Sequence, residues 1–189
     1  MTYFVTGATG FIGRYLVQSL LQKGKGTIYV LVRPKSIGKL DELREFWGKD
    51  SLKRVVPIKG DLGLPKLGVG KADVAKLKGK IRHFYHLGAV YDLEASAEAM
   101  EKANITGTKG ALEFAEAVNA GCFHLVSSIA AAGLYRGTFT EDMFEEAEEL
   151  EHPYHRTKHD SEAMVRANGR IPFRVYRPGA VLGHSQTGF

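Results

Sequence analysis

The stretch TGATGFIG, Thr6 to Gly13, stands between the apolar run TYFVT at 2–6 and the helix-patterned FIGRYLVQSLLQKG at 11–24. Its glycines, Gly7, Gly10 and Gly13, lie three residues apart. Glycine lets a strand turn sharply at the first position, lets another group approach the backbone at the second, and lets a helix pack close to a strand at the third. The first amides of the following helix lack intrahelical partners and face any anion placed at the turn. A glycine triplet by itself is a weak signal, so its meaning depends on the pattern of the remaining chain.

That pattern is alternation. Short apolar, β-branched or aromatic runs recur at 27–32 (TIYVLV), 54–58 (RVVPI), 81–87 (IRHFYHL), 122–127 (CFHLVS) and 173–177 (FRVYR), each of strand length. Helix-length segments separate them, among them ITGTKGALEFAEAVNAG at 105–121, with Gly121 as the expected stop. The segment 63–80 reads as an irregular connection followed by a short helix, and RGTFTEDMFEEAEELEH at 136–152 as an acidic loop or solvated helix face, with a substrate-side lid as the alternative. Strands joined by helical crossovers predict an α/β fold with a Rossmann-type, doubly wound parallel sheet in the order 3-2-1-4-5-6, flanked by helices. In that setting TGATGFIG is the phosphate-binding turn of a dinucleotide site.

Composition bounds the rest. The chain has 189 residues, one domain by length, and a formal charge of +5. Its Lys and Arg are scattered among the acids instead of forming a block, which argues against nucleic acid and suits an anionic small molecule. The single cysteine, Cys122, has no internal partner, so a reducing, cytoplasmic setting and a buried structural thiol are expected. No apolar run approaches bilayer length, and no Cys/His spacing in the sequence resembles a metal site.

The second strand ends LVRPKS, which places Arg33 where NAD-preferring domains carry a carboxylate for the ribose 2′-hydroxyl. A guanidinium there faces a 2′-phosphate, so NADPH is the expected cofactor. Arg14 and Lys35 are nearby positive charges or ordinary surface residues.

Late in the chain, PYHRTK sets Tyr154 four residues before Lys158, one helical turn apart on one face. Alone the pair is compatible with chance, since both residues are common. After the fifth strand of a dinucleotide fold it becomes a proton-handling pair: a phenol is a reluctant acid at neutral pH, and a neighbouring cation favours its ionised form. Two serines, Ser127 and Ser128, end that strand; such a pair often only caps backbone, and Ser128 is favoured over Ser127 for bonding a substrate oxygen. His155 and His159 read as helix-surface or packing residues, and His83, His86 and His124 as core or sheet-end residues.

Carrying TGATGFIG, GDL (60–62), HLGA (86–89), NITGT (104–108), VSS (126–128), YHRTK (154–158) and RPG (177–179) in this order, the chain resembles the extended short-chain dehydrogenases/reductases. The wording of HLGAVYDL, SSIAAAGLY, EDMFEEAEELEHPYHRTKHDSE and YRPGAVLGHSQTG is most similar to the N-terminal reductase part of bacterial fatty acyl-CoA reductases, of the male-sterility and thioester-reductase type. The resemblance implies that Thr9, Phe11 and Ile12 join the three glycines around the cofactor. It also implies that Asp61 and Leu62 lie against the adenine, that Leu87, Gly88 and Ala89 run along the cofactor, and that Pro178 and Gly179 lie near the nicotinamide. By the same resemblance Asn104 supports the active-site helix. Ser128, Tyr154 and Lys158 are the implied catalytic residues, with Tyr154 and Lys158 also touching the cofactor. Many relatives carry alanine at the position of Gly88.

The activity so implied is NADPH-dependent reduction of a fatty acyl thioester, on CoA or an acyl carrier, to aldehyde or onward to alcohol. A sugar-nucleotide epimerase or dehydratase, a ketone reductase, and a non-catalytic dinucleotide sensor share the motifs and stay open as alternatives. Members of the group continue into a substrate-binding portion that is absent from residues 1–189, so the chain is expected to be an N-terminal cofactor-binding fragment of a longer reductase.

Overall fold

The computed structural model describes residues 1–89, 96–185 and 188. Val90 to Leu93 of HLGAVYDL, with Gln186 and Thr187 near the end, lie outside the described residues. The apolar runs become β1 (Tyr3–Thr6), β2 (Ile28–Val32), β3 (Val55–Lys59), β4 (His83–His86), β5 (Phe123–Val126) and β6 (Phe173–Tyr176). They form one sheet in the order β3-β2-β1-β4-β5-β6, and every pairing is parallel. The expected doubly wound sheet is therefore present. Its order reverses between β1 and β4, and the crevice at such a switch point is where this class of sheet binds ligands.

Parallel strands covered on both sides need apolar residues facing both ways. On one side Phe4, Phe84 and Phe123 occupy one register row across β1, β4 and β5. Their rings stack at 4.9 and 5.2 Å. Phe114 of α6 (Gly107–Ala117) closes on Phe4 at 4.9 Å. Val165 of α7 (Pro153–Ala167) joins the same cluster. On the other side Val5, Val30 and Val32 pack against Val17, Leu20 and Leu21 of α1 (Phe11–Lys23), with Leu40 and Trp47 of α2 (Ile37–Trp47) beyond. The Trp47 indole donates to the Arg14 carbonyl at 2.8 Å, which joins α2 to α1.

Shorter helices fill the connections: α3 (Ser51–Arg54), α4 (Lys71–Leu77) and α5 (Ala97–Met100). The 63–80 segment is the expected irregular turn, at Pro65–Gly68, followed by α4. The helix expected to stop at Gly121 instead ends at Ala117. Its left-handed residue is Asn119, at φ 52°, while Gly121 is small because a Cβ there would lie 2.9 Å from the Arg82 carbonyl. That helix also starts earlier than its sequence pattern. α5 runs through a wide π-type turn at Glu101–Thr106 into α6, and the turn places Asn104 inward, 2 % exposed.

Candidate active site

The glycine turn has the geometry its spacing predicts. Gly7 sits at φ +71°, and a Cβ there would stand 2.8 Å from the Gly88 nitrogen. At Gly13 a Cβ would come within 2.0 Å of the Gly7 carbonyl oxygen, so α1 touches the turn after β1 at backbone distance. Gly10 donates to the Gly7 carbonyl at 3.0 Å, and Arg14 to the Gly10 carbonyl at 3.0 Å. The amides of Phe11, Ile12 and Gly13 precede the first intrahelical bond, at the start of the helix that follows β1. Thr9, Gly10, Phe11 and Ile12 are exposed there. A concave cradle of amides at a helix N-terminus fits a pyrophosphate.

A buried relay, which no local spacing announces, ties this turn to the end of β4. Gly88 donates its amide to Thr6 Oγ1 at 3.1 Å. Thr6 Oγ1 also meets His86 Nδ1 at 2.8 Å, and His86 Nε2 meets Thr108 Oγ1 at 3.2 Å. Thr6 Oγ1 thus accepts from Gly88 while sharing a hydrogen bond with His86 Nδ1, and the tautomer of His86 sets which of the two ring nitrogens donates along the relay. Burial, and secondarily the charge of Lys158, lowers the His86 pKa to about 3, so the ring is neutral. Gly88 has little room for more: a Cβ would fall 2.4 Å from Leu62 Cδ1, which occupies that space.

At the end of β5, Ser128 Oγ accepts from the Ala130 amide at 3.1 Å and caps the short 3-10 turn Ile129–Ala132. Of the two serines, Ser128 is the one that caps. Ser128 is partly exposed and its hydroxyl proton remains available to a ligand oxygen, whereas Ser127 is 4 % exposed and sits beside Glu162. Tyr154 and Lys158 are 8 % and 5 % exposed on the inner face of α7. Pro153 occupies the first turn and His152 Nδ1 accepts from the Tyr154 amide at 3.2 Å, which starts the helix at this point. Lys158 Nζ donates to the Val126 carbonyl at 3.0 Å, so it points to the carboxyl end of β5. Burial lowers its pKa to about 8 against the opposing pull of Glu162, leaving it charged at neutral pH. Asn104 donates to Thr157 Oγ1 at 3.1 Å and braces α7 from behind.

The acidic segment folds back over α7. Phe144 stacks on His159 at 4.2 Å, and the Arg166 guanidinium stands over the Phe144 ring at 4.8 Å. From the end of β6, Arg177 donates to the carbonyls of Thr140 and Met143 at 3.2 and 2.8 Å. The same guanidinium reaches Glu162 Oε1 at 2.6 Å. Gly133 lets the segment return against the 3-10 turn, since a Cβ there would lie 1.7 Å from the Glu148 carbonyl oxygen. The result is one wall of an apolar cleft of about 910 Å³ whose other lining residues include Ile12, Leu87, Val126, Ile129 and Pro178. Pro178 accepts from the Ile129 amide at 3.1 Å, joining the RPG segment to the turn after Ser128. Ser128, Tyr154 and Lys158 do not line this cleft. Lys158 meets it through Val126, which is both a wall of the cleft and the Lys158 acceptor.

Arg33 is exposed at the end of β2, and the turn it leads into, Pro34–Ser36, carries no carboxylate. Asp61 accepts from the Gly63 amide at 2.9 Å and shapes the turn after β3. Ala89 is exposed and Gly179 lies beside Ile129. His159 Nδ1 meets the Ala131 carbonyl at 3.0 Å and its ring stacks on Phe144, while His155 stands beside the rings of His152 and Tyr154 at 5.2 and 6.5 Å. Cys122 is only partly buried, which corrects the expectation of a buried thiol. A Cys/His group does form in space although no sequence spacing announces it: the ligand atoms of His83, Cys122 and His124 lie within 4.8 Å of one another. The two imidazoles are hydrogen-bonded at 2.9 Å, and the charges of Arg174 and Arg82 act on the cluster.

Comparison with known proteins agrees with this fold. The family described as male sterility protein matches residues 5–189. A linear gramicidin synthase of Brevibacillus parabrevis is 33 % identical over 97 % of this chain, which covers 4 % of that protein. A putative fatty acyl-CoA reductase of Drosophila melanogaster is 31 % identical over 61 % of the chain and 25 % of its own length. Among solved structures, the terminal R domain from the myxalamid PKS-NRPS biosynthetic pathway superposes with a TM-score of 0.88 at 31 % identity, covering 98 % of this chain and 51 % of that one. UDP-glucuronic acid 4-epimerase from Bacillus cereus, in complex with NAD, gives 0.74 at 26 % identity over 98 % and 59 %. The chain spans about half the length of these solved relatives.

Proposed function

The chain belongs to the male sterility protein family of extended short-chain dehydrogenases/reductases, and from that premise we propose that it is the cofactor-binding portion of an NADPH-dependent reductase acting on a fatty acyl thioester. The observation that carries the proposal is a grouping at the carboxyl end of the sheet. The glycine cradle, the partly exposed Ser128 hydroxyl and the charged Lys158 one turn beyond Tyr154 all stand at the carboxyl ends of β1 and β5. The cleft beside them is walled by apolar side chains, which suits an acyl chain better than a sugar. Arg33 supports NADPH over NADH.

When bound, the dinucleotide supplies the hydride. The cradle formed by Gly7, Gly10 and Gly13 would hold its pyrophosphate, and Arg33 would pair with a 2′-phosphate. Ser128 donates a hydrogen bond to the substrate oxygen as negative charge develops on it. Tyr154 gives that oxygen a proton when an aldehyde is reduced, and Lys158 stabilises the phenolate left behind. With a thioester, the same donors stabilise the tetrahedral oxyanion until the carbon–sulfur bond breaks, leaving an aldehyde and a thiolate. The same Ser128, Tyr154 and Lys158 would serve an onward reduction of that aldehyde to alcohol, unless a separate domain carries it out.

The structural likeness to an NAD-bound epimerase favours one rival, a sugar-nucleotide enzyme with the same tyrosine and lysine. NADPH absorbance assays on the full-length protein with a fatty acyl-CoA, a long-chain aldehyde and a sugar nucleotide separate the two. Oxidation of NADPH by the acyl-CoA is expected. Turnover of the sugar nucleotide alone, without net NADPH consumption, replaces the thioester reading with the epimerase one.

A further inference from the structure

Glu162 is fully buried on the inner face of α7, one turn beyond Lys158, and no step of the reaction above uses it. A carboxylate out of water persists only when its charge is matched. Three nitrogens match it. Arg177 reaches Oε1 through Nη2 at 2.6 Å and both oxygens through Nε at 3.1 Å, and Arg166 Nε reaches Oε1 at 2.8 Å. Burial raises its pKa, but the bonds from Arg177, then Arg166, and a weaker pull from Ser127 outweigh burial and hold it below the usual carboxylate range. Arg177 directs its remaining donors to the carbonyl of Thr140, which lines the cleft, and to that of Met143 beyond it.

We propose that Glu162 is a positioning residue of the site, holding the Lys158 ammonium against Val126 by its charge and fastening the wall of the cleft at Thr140 to α7 through Arg177. The role rests on the reading of Tyr154 and Lys158 given above. Each element packed around Lys158 contributes an identifiable group. β4 presents His86, which is neutral, and β5 presents the Val126 carbonyl. β6 presents Arg177, engaged with Glu162. The π-type turn presents Asn104, bonded to Thr157, while its Glu101 faces Arg156 on the exposed side at 3.8 Å. On α7 itself, Arg166 is engaged with Glu162. Glu162 is therefore the anion that acts on Lys158 among the described residues.

The test reads Lys158 directly, in full-length protein carrying lysine labelled with carbon-13 at Cε, its resonance assigned by loss in Lys158→Arg. In Glu162→Gln the midpoint of the Lys158 titration is expected to fall by roughly one pH unit, because the opposing anion is gone while burial remains. In Arg177→Met it is expected to rise. A merely structural Glu162 admits water when removed and moves Lys158 upward in both variants, and that result overturns the proposal, as does an unmoved midpoint in Glu162→Gln. Where Glu162→Gln does not accumulate as folded protein, the apolar pair Glu162→Leu with Arg177→Leu takes its place, since well-packed apolar replacements of buried ion pairs are often tolerated, and a fall is again expected. The alkaline limb of kcat/KM with NADPH and a fatty acyl-CoA should move with the midpoint. A midpoint that falls without the limb following supports the role of Glu162 and rejects Lys158 as part of the chemistry.

Discussion

The Gly88 amide donates to Thr6 Oγ1 at 3.1 Å, across 82 residues of sequence. This bond joins the two loops that would flank a bound dinucleotide, and His86 completes it at 2.8 Å. Thr6→Val keeps the shape but strands a buried amide and a buried ring nitrogen. A loss of about 2–4 kcal/mol in unfolding free energy is expected from two unsatisfied groups, with weaker NADPH binding. Thr6→Ser should retain both. Urea denaturation with fluorescence titration of NADPH checks the pair; equal stability of the Val and Ser variants would count against the relay.

The three glycines are not equivalent. A Cβ meets backbone at 2.0 Å at Gly13 but at 3.3 Å at Gly10. Backbone cannot rotate away as a side chain can, so Gly13→Ala is expected to yield unfolded or markedly destabilised protein. Gly10→Ala should fold, and it should lose NADPH affinity because the methyl group stands where a pyrophosphate must approach. Circular dichroism and NADPH titration of the two variants distinguish these outcomes.

How far the site was legible depends on where its partners lie in the sequence. The glycine turn is local, as is the Tyr154–Lys158 spacing, and both could be read from a few adjacent residues. Strand positions followed from short apolar runs, with ends shifted by a residue or two. The Thr6–His86–Thr108 relay, the Glu162–Arg177 pair and the His83–Cys122–His124 group join distant segments through the sheet register. No spacing rule shows them. A buried Glu four residues after Lys158 was visible as a letter, but its charge matching depends on an arginine 15 residues later. The misplaced stop at Gly121 has a different cause: Asn119 supplied the left-handed residue, and glycine was needed two positions on for close approach to Arg82.

Acid should destabilise this protein through neutral buried imidazoles. Burial lowers His86 to about 3 and His124 to about 4, while unfolded histidine titrates near 6.5. Between those values the unfolded chain binds more protons than the native one, so stability rises with pH across that window and is lost as pH falls below about 6.5. For His86 the loss between pH 7 and pH 5 is about 2 kcal/mol by linkage. His86→Gln keeps an amide for hydrogen bonding and removes the titration. Its unfolding free energy should fall less over the same interval, and an identical pH slope in wild type and variant would exclude His86 as the source.

Arg33 carries the expectation of NADPH preference. Its guanidinium is exposed at the end of β2, where a 2′-phosphate would be met by a planar fork of donors. Arg33→Asp replaces attraction by repulsion and offers the ribose 2′-hydroxyl an acceptor. The ratio of NADP to NAD affinity should fall by about 100-fold or more, on the order expected for loss of a charge-assisted contact plus a like-charge penalty. Calorimetric titration of both nucleotides into both proteins measures it. Equal ratios would place the phosphate elsewhere.

Tyr154→Phe isolates the proton from the architecture. The tyrosine is 8 % exposed on a helix whose start is fixed by Pro153 and His152, so removing one oxygen leaves α7 and Lys158 in place. NADPH affinity should stay within a few-fold of wild type, because the glycine cradle and Arg33 are untouched. Aldehyde reduction needs a proton at oxygen as well as a hydride at carbon, and general acid catalysis contributes typically 10²–10⁴-fold; kcat should drop by about that factor. Thioester cleavage releases a thiolate and needs stabilisation of the oxyanion more than a proton, with Ser128 still donating, so its loss should be the smaller of the two. Measuring single-turnover NADPH oxidation with acyl-CoA and with aldehyde in the same variant compares the two steps directly. Full activity on the aldehyde would remove Tyr154 from the chemistry and leave the pair with Lys158 a feature of packing.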